Sequence, residues 1–129
     1  MNQIPVKRRS GDVKAIWEAV EALRGGAAVC VFPEGRLSRG ETLRARTGVS
    51  RLWAECPQAR VILCAIAGTP RYVRFPRRPR VSIELFEPAG GQPAIGEDPQ
   101  LLATRLLLEL RERVPPTPVG RRLPEVAAS

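Results

Sequence analysis

Ala27-Ala28-Val29-Cys30-Val31-Phe32-Pro33-Glu34-Gly35-Arg36-Leu37-Ser38-Arg39-Gly40 is the stretch on which the fold turns. Its first six residues are apolar without interruption, and Pro33 stops them. An apolar run of that length with no alternation predicts a β-strand covered on both faces, as in α/β sheets. Ligands of open α/β sheets gather beyond the carboxyl ends of the strands, so residues 33–40 stand where a site is expected. Gly35 and Gly40 let backbone approach a ligand, Arg36 and Arg39 offer planar forks for a phosphate, and Ser38 offers a hydroxyl. Glu34 suits two tasks, accepting from a substrate hydroxyl or holding an arginine in position. Spacing alone also admits a polar turn whose Glu and Arg are solvated or paired with each other.

Upstream of this stretch, Val13, Ile16, Trp17, Val20 and Leu23 recur at helical spacing. They predict a helix capped by Asp12, closed by Gly25-Gly26, with Trp17 in the core. Downstream, Thr47 is placed to cap a second helix whose apolar face is Val49, Leu52, Trp53 and Cys56, and Pro57 ends it. Arg60 to Ile66 reads as another covered strand. Val81, Ile83 and Leu85 alternate with Ser82 and Glu84, the pattern of a half-buried strand. Asp98-Pro99 is a cap and first-turn proline for a last helix striped by Leu102, Leu106 and Leu110. The order helix, strand, helix, strand, strand, helix defines an α/β chain. The domain is expected over residues 1–114, and the proline-rich tail 115–129 is expected to be disordered.

The chain has 129 residues, enough for one domain with a sizeable core. Its longest apolar run, Val61 to Ala67, falls far short of the ~18 residues of a membrane-spanning helix. The net charge is +8, and all the basic residues except Lys7 and Lys14 are arginine. An anionic partner is implied: a phosphorylated substrate, an acidic lipid surface or nucleic acid. There is no histidine, which removes the usual neutral-pH proton carrier. Cys30, Cys56 and Cys64 lack metal-ligand spacing, so no metal site is expected; Cys30 and Cys64, inside apolar runs, read as small buried hydrophobes. No leader pattern stands at Met1, and the expectation is a reducing, cytoplasmic compartment.

Phe32-Pro33-Glu34-Gly35 with Ser38 resembles the Phe-Pro-Glu-Gly-Thr-Arg-Ser motif of the glycerolipid acyltransferases, the PlsC-like or lysophosphatidic acid acyltransferase family. Arg46-Thr47-Gly48-Val49 is similar to that family's Lys-x-Gly-Ala step, and Ala67-Gly68-Thr69 to its Arg-Gly-Thr turn. Val6-Lys7-Arg8 resembles the end of its second motif, whose arginine helps bind phosphate. The likeness runs over residues 4–88. It implies a mixed, largely parallel sheet flanked by helices, and acyl transfer from acyl-CoA or acyl-ACP to a lysophospholipid or glycerol phosphate. These acyl donors are co-substrates; no cofactor is implied. Glu34, Gly35, Arg36, Ser38, Arg39 and Arg8 are the substrate-binding residues that follow.

The departures are as informative. The family's His-x-x-x-x-Asp block, whose His is general base and whose Asp orients it, has no counterpart, so no catalytic residue is assigned. General-base catalysis is worth ~10²–10⁴ in rate, and this chain alone is expected to be inactive, a domain truncated at its N-terminus. The motif's Thr-Arg pair is replaced by Arg36-Leu37, and the fourth motif, Val61 to Ile66, has no proline. Two other readings stay open: a non-catalytic binder of a phospholipid headgroup or partner, and a small basic nucleic-acid-binding module, which charge favours but no motif does. Five arginines interleaved with Tyr72, Val73 and Phe75 over residues 71–80 suit peripheral contact with the anionic inner face of a membrane, a single-stranded nucleic acid, or plain solvation.

Overall fold

A computed structural model of the chain describes residues 3–5, 13–35, 42–68 and 80–115. In chain order the elements are α1 (Val13–Arg24), α2 (Gly48–Glu55), β1 (Leu63–Ala67), β2 (Ser82–Phe86) and α3 (Pro99–Arg113). The expected cap Asp12, the arginine-rich residues 71–79 and the tail 116–129 lie outside the described residues.

The end of α1 and the start of α3 follow the reasons read from the sequence. At the end of α1, the amide of Ala27 donates to the Ala22 carbonyl at 2.9 Å and that of Gly26 to Leu23 at 3.0 Å. This crossed pair satisfies carbonyls the helix leaves over. At the start of α3, Asp98 accepts from the amides of Gln100 and Leu101, each at 2.9 Å, with Pro99 as first helical residue. Thr47 precedes α2 but makes no side-chain cap bond, contrary to expectation.

Packing divides into three small clusters. Ala19 and Val20 of α1 bury against Leu52 and Cys56 of α2, with Ile16 and Leu23 beside them. Ala103 and Leu107 of α3 close on Ala45, and Leu102 and Leu106 close on Leu63 of β1. Val49 of α2 touches both of the latter clusters and so joins them. Each buried leucine contributes about 1.5–3 kcal/mol. The expected stripe of α3 is therefore present and wider than read.

The sheet differs from its expectation. Its two described strands are antiparallel, with Leu63 opposite Phe86 and Ala67 opposite Ser82, where a largely parallel sheet was expected. β1 starts at Leu63 and not at Arg60, because the Gln92 side-chain amide takes the place of a neighbouring strand at Val61: it accepts from the Val61 amide at 2.8 Å and donates to the Val61 carbonyl at 2.9 Å. Gly68 closes β1 with φ +90, where an added Cβ would lie 2.0 Å from the Arg80 carbonyl oxygen. No side chain fits there.

The run Ala27–Phe32 is not a strand of the described sheet, and Phe32 is 75% exposed. A continuous apolar run marks residues that suit a covered strand; pairing still requires neighbouring backbones, and the described strands supply none beside it. The same reason leaves Val81, Ile83 and Leu85 exposed, where half-burial was expected. Cys64 and Ile66 of β1 face Leu85 and Ile83 across the ladder on one exposed apolar side, while α3 covers Leu63 and Ala65 on the other. Cys30 and Cys64 are thus exposed, where burial was expected, while Cys56, on the apolar face read for α2, is buried. Trp17, expected in the core, is 48% exposed because α1 buries only the side that meets α2.

A polar clamp fixes the loop before α3. Arg105 donates from Nε and Nη2 to the two oxygens of Glu97 at 3.1 and 3.2 Å, and from Nη1 to the Gly91 carbonyl at 3.0 Å. Hydrogen bonding from Arg105 holds the Glu97 carboxyl below its ordinary value, outweighing the opposing effect of burial, with the Ala94 amide assisting. A carboxylate held low in the folded state adds stability that is complete above its unfolded pKa and is lost as pH falls through the folded value. Glu97→Gln is accordingly expected to cost about 1 kcal/mol at neutral pH and to flatten the acid limb of the stability profile. Chemical denaturation across the acid range checks this; an unaltered profile contradicts it.

Candidate functional site

The apolar run ends in a tight turn. The Gly35 amide donates to the Phe32 carbonyl at 3.1 Å, placing Pro33 and Glu34 at the two central positions. Proline presets the backbone angle of the first central position, and glycine suits the closing one. Gly35 has φ +67, and a Cβ built on it would lie 3.2 Å from Cγ of Arg46. The Arg46 amide donates to the Pro33 carbonyl at 2.7 Å. The turn is thus stitched to residues 43–46, in which Leu43 and Ala45 are buried and Arg44 and Arg46 are exposed.

These two segments and the start of α3 enclose a cleft of about 460 Å³, lined by Glu34, Leu43, Arg44, Ala45, Arg46, Thr47 and Gln100. Gln100 braces its floor, donating from Nε2 to the Ala45 carbonyl at 3.2 Å. Glu34 is tied from the far end of α3: Arg111 Nη2 donates to its Oε1 at 3.1 Å and also to the Leu43 carbonyl. Glu34 Oε2 takes no hydrogen bond from any described residue. A wall with two guanidinium groups, a hydroxyl, a side-chain amide and one half-anchored carboxylate can grip a phosphorylated polyol: guanidinium on phosphate, carboxylate on hydroxyl.

Of the residues read from the sequence, Glu34 lines the cleft and Gly35 forms the turn. Arg8, Arg36, Ser38 and Arg39 lie outside the described residues. Both tasks weighed for Glu34 are compatible with its geometry, since it pairs with an arginine through one oxygen, and that arginine is Arg111 and not a neighbour in the turn. Arg44, Gln100 and Arg111 were missed. Arg111 is 77 residues from Glu34, a separation no local spacing reveals. Arg44 had a signal, the in-and-out alternation of Leu43-Arg44-Ala45-Arg46 inside what reads as a polar loop. Among the described residues no three metal-ligating side chains gather.

The model of the family described as Acyltransferase matches residues 1–68, more than half of the 129-residue chain. The chain belongs to the acyltransferase family, in agreement with the glycerolipid acyltransferase resemblance of its motifs. No curated protein and no solved structure matches it. The matched segment carries the turn and residues 44–47 but not Gln100 or Arg111, which stand on α3. No helix among the described residues is long and apolar enough to cross a membrane.

The turn geometry makes a direct forecast. Gly35→Ala forces a side chain into a left-handed backbone conformation and presses on Arg46, so a loss of about 1–2 kcal/mol is expected. Thermal denaturation reads it as a lowered Tm; an unchanged Tm contradicts the positive φ at this turn.

Proposed function

We propose that this cleft holds the phosphorylated glycerol headgroup of an acyl acceptor, a lysophospholipid or glycerol phosphate, within an acyltransferase-family domain. The observation that carries this reading is the convergence of Glu34 with Arg44 and Arg46 on one cleft at the family's Pro-Glu-Gly turn. Arg44 and Arg46 take the phosphate oxygens, and Glu34 Oε2, which takes no hydrogen bond from a described residue, accepts from a glycerol hydroxyl. Arg36, Ser38, Arg39 and Arg8 are assigned to the same headgroup by the family motifs. The acyl donor is acyl-CoA or acyl-ACP. A net charge of +8 favours collection of the acceptor from an anionic membrane surface, by peripheral contact on its cytoplasmic side.

The transfer itself makes an ester C–O bond at the acceptor hydroxyl and breaks the thioester C–S bond; the hydroxyl proton leaves and the thiol departs. A hydroxyl needs a general base for that attack. The chain has no histidine, and Glu34 is committed to binding through Arg111. We therefore assign to this chain binding without turnover.

Calorimetric titration with sn-glycerol 3-phosphate tests the binding. The wild-type chain is expected to bind, and Glu34→Gln and Arg46→Gln each to weaken binding about tenfold, the equivalent of about 1.4 kcal/mol. Arg51→Gln, at an exposed position of α2, should leave affinity unchanged. Full affinity in both cleft variants contradicts the reading. Incubation with labelled acyl-CoA and lysophosphatidate should yield no acylated product, and measurable turnover would overturn the assignment of binding alone.

A further inference from the structure

We infer that Arg111, on α3 and beyond the family-matched segment, is a positioning residue of the headgroup cleft: it orients Glu34 and neutralises it towards phosphate. The inference rests on the headgroup reading above and extends the site to a helix that the family match does not reach.

A bare carboxylate beside a phosphate is unfavourable. Two like charges a few ångströms apart in a partly desolvated site repel strongly. An acidic residue at the tip of a phosphate-holding turn therefore needs a cation that is not itself consumed by the ligand. Arg44 and Arg46 face the cleft and are exposed. Arg111 is different. Its side chain is 17% exposed, it does not line the cleft, and its Nη2 reaches both Glu34 Oε1 and the Leu43 carbonyl.

That contact fixes which carboxylate oxygen is left for a ligand hydroxyl. It also spans the cleft's two segments, since Leu43 opens the 43–46 wall and Glu34 tips the turn. The price is visible in the same side chain: Arg111 Nε is buried without a hydrogen-bond partner among the described residues. A buried donor left without a partner is destabilising, and a guanidinium held there despite it points to a role beyond filling space. Its own helix offers no acidic residue at three or four positions' distance, the spacings that meet on a helix, and Arg111 is turned towards the Pro-Glu-Gly tip.

The test is a double-substitution cycle on the full chain, read by calorimetric titration with sn-glycerol 3-phosphate, with thermal melting confirming that each variant is folded at the titration temperature. Arg111→Gln is expected to weaken binding about tenfold, and Arg111→Lys, which keeps the charge without the planar fork, about threefold. Glu34→Gln/Arg111→Gln should bind no more weakly than Glu34→Gln alone, because Arg111 acts through Glu34; a merely structural role would give additive losses. A folded Arg111→Gln with wild-type affinity, or additive losses in the double variant, overturns the inference and leaves the headgroup reading standing. Should Arg111→Gln not be folded, Arg111→Lys decides, and wild-type affinity in it overturns the inference. Failure of the wild-type chain to bind removes the headgroup reading and this inference with it.

Discussion

The contact between the Arg111 guanidinium, the Glu34 carboxylate and the Leu43 carbonyl is the constraint on which the cleft depends. Among the described residues it is the one side-chain tie on Glu34, and it adds to the Arg46 amide bond that joins the Pro-Glu-Gly turn to residues 43–46. The tie is effective because both ends rest on packed elements. α3 is fixed by Leu102, Leu106 and Leu107 against β1 and the 43–46 wall, and Val49 joins those clusters to α2. Removing one partner from a largely buried pair costs more than the pair contributes, since the other is left charged and unmatched.

The sequence shows the site's chemistry more fully than its scaffold. Phe32-Pro33-Glu34-Gly35 reads as a turn with a functional carboxylate because proline and glycine constrain backbone locally, and the turn forms as those residues dictate. Asp98-Pro99 reads as a helix start for the same reason, and the Asp98 side chain makes both cap bonds. Local chemistry is legible from neighbours in the chain. The partners of Glu34 are not, because Arg111 reaches it only after α3 has packed, and several other arginines have equal claim from sequence alone.

Burial was the less legible property. Ala27–Phe32 and the alternation of Val81, Ile83 and Leu85 report which residues suit a covered sheet, while coverage depends on what packs above them. In the described residues α3 covers one side of the β1–β2 pair, so the opposite apolar side, with Cys64, Ile66, Ile83 and Leu85, is exposed. The direction of pairing was equally beyond reach: runs of apolar residues carry no sign of parallel or antiparallel neighbours, and the observed ladder is antiparallel. Trp17 misled in a related way, since helical spacing identifies a face but not how much of it a short partner such as α2 can cover.

One cleft is built jointly by the family's turn and by a helix outside the family-matched segment. Amide chemical-shift mapping on the folded chain during addition of sn-glycerol 3-phosphate examines it directly. Saturable shifts are expected at Gly35, Arg46 and the side-chain amide of Gln100 together. Shifts confined to the β1–β2 ladder or α1, with these three groups unmoved, would contradict it.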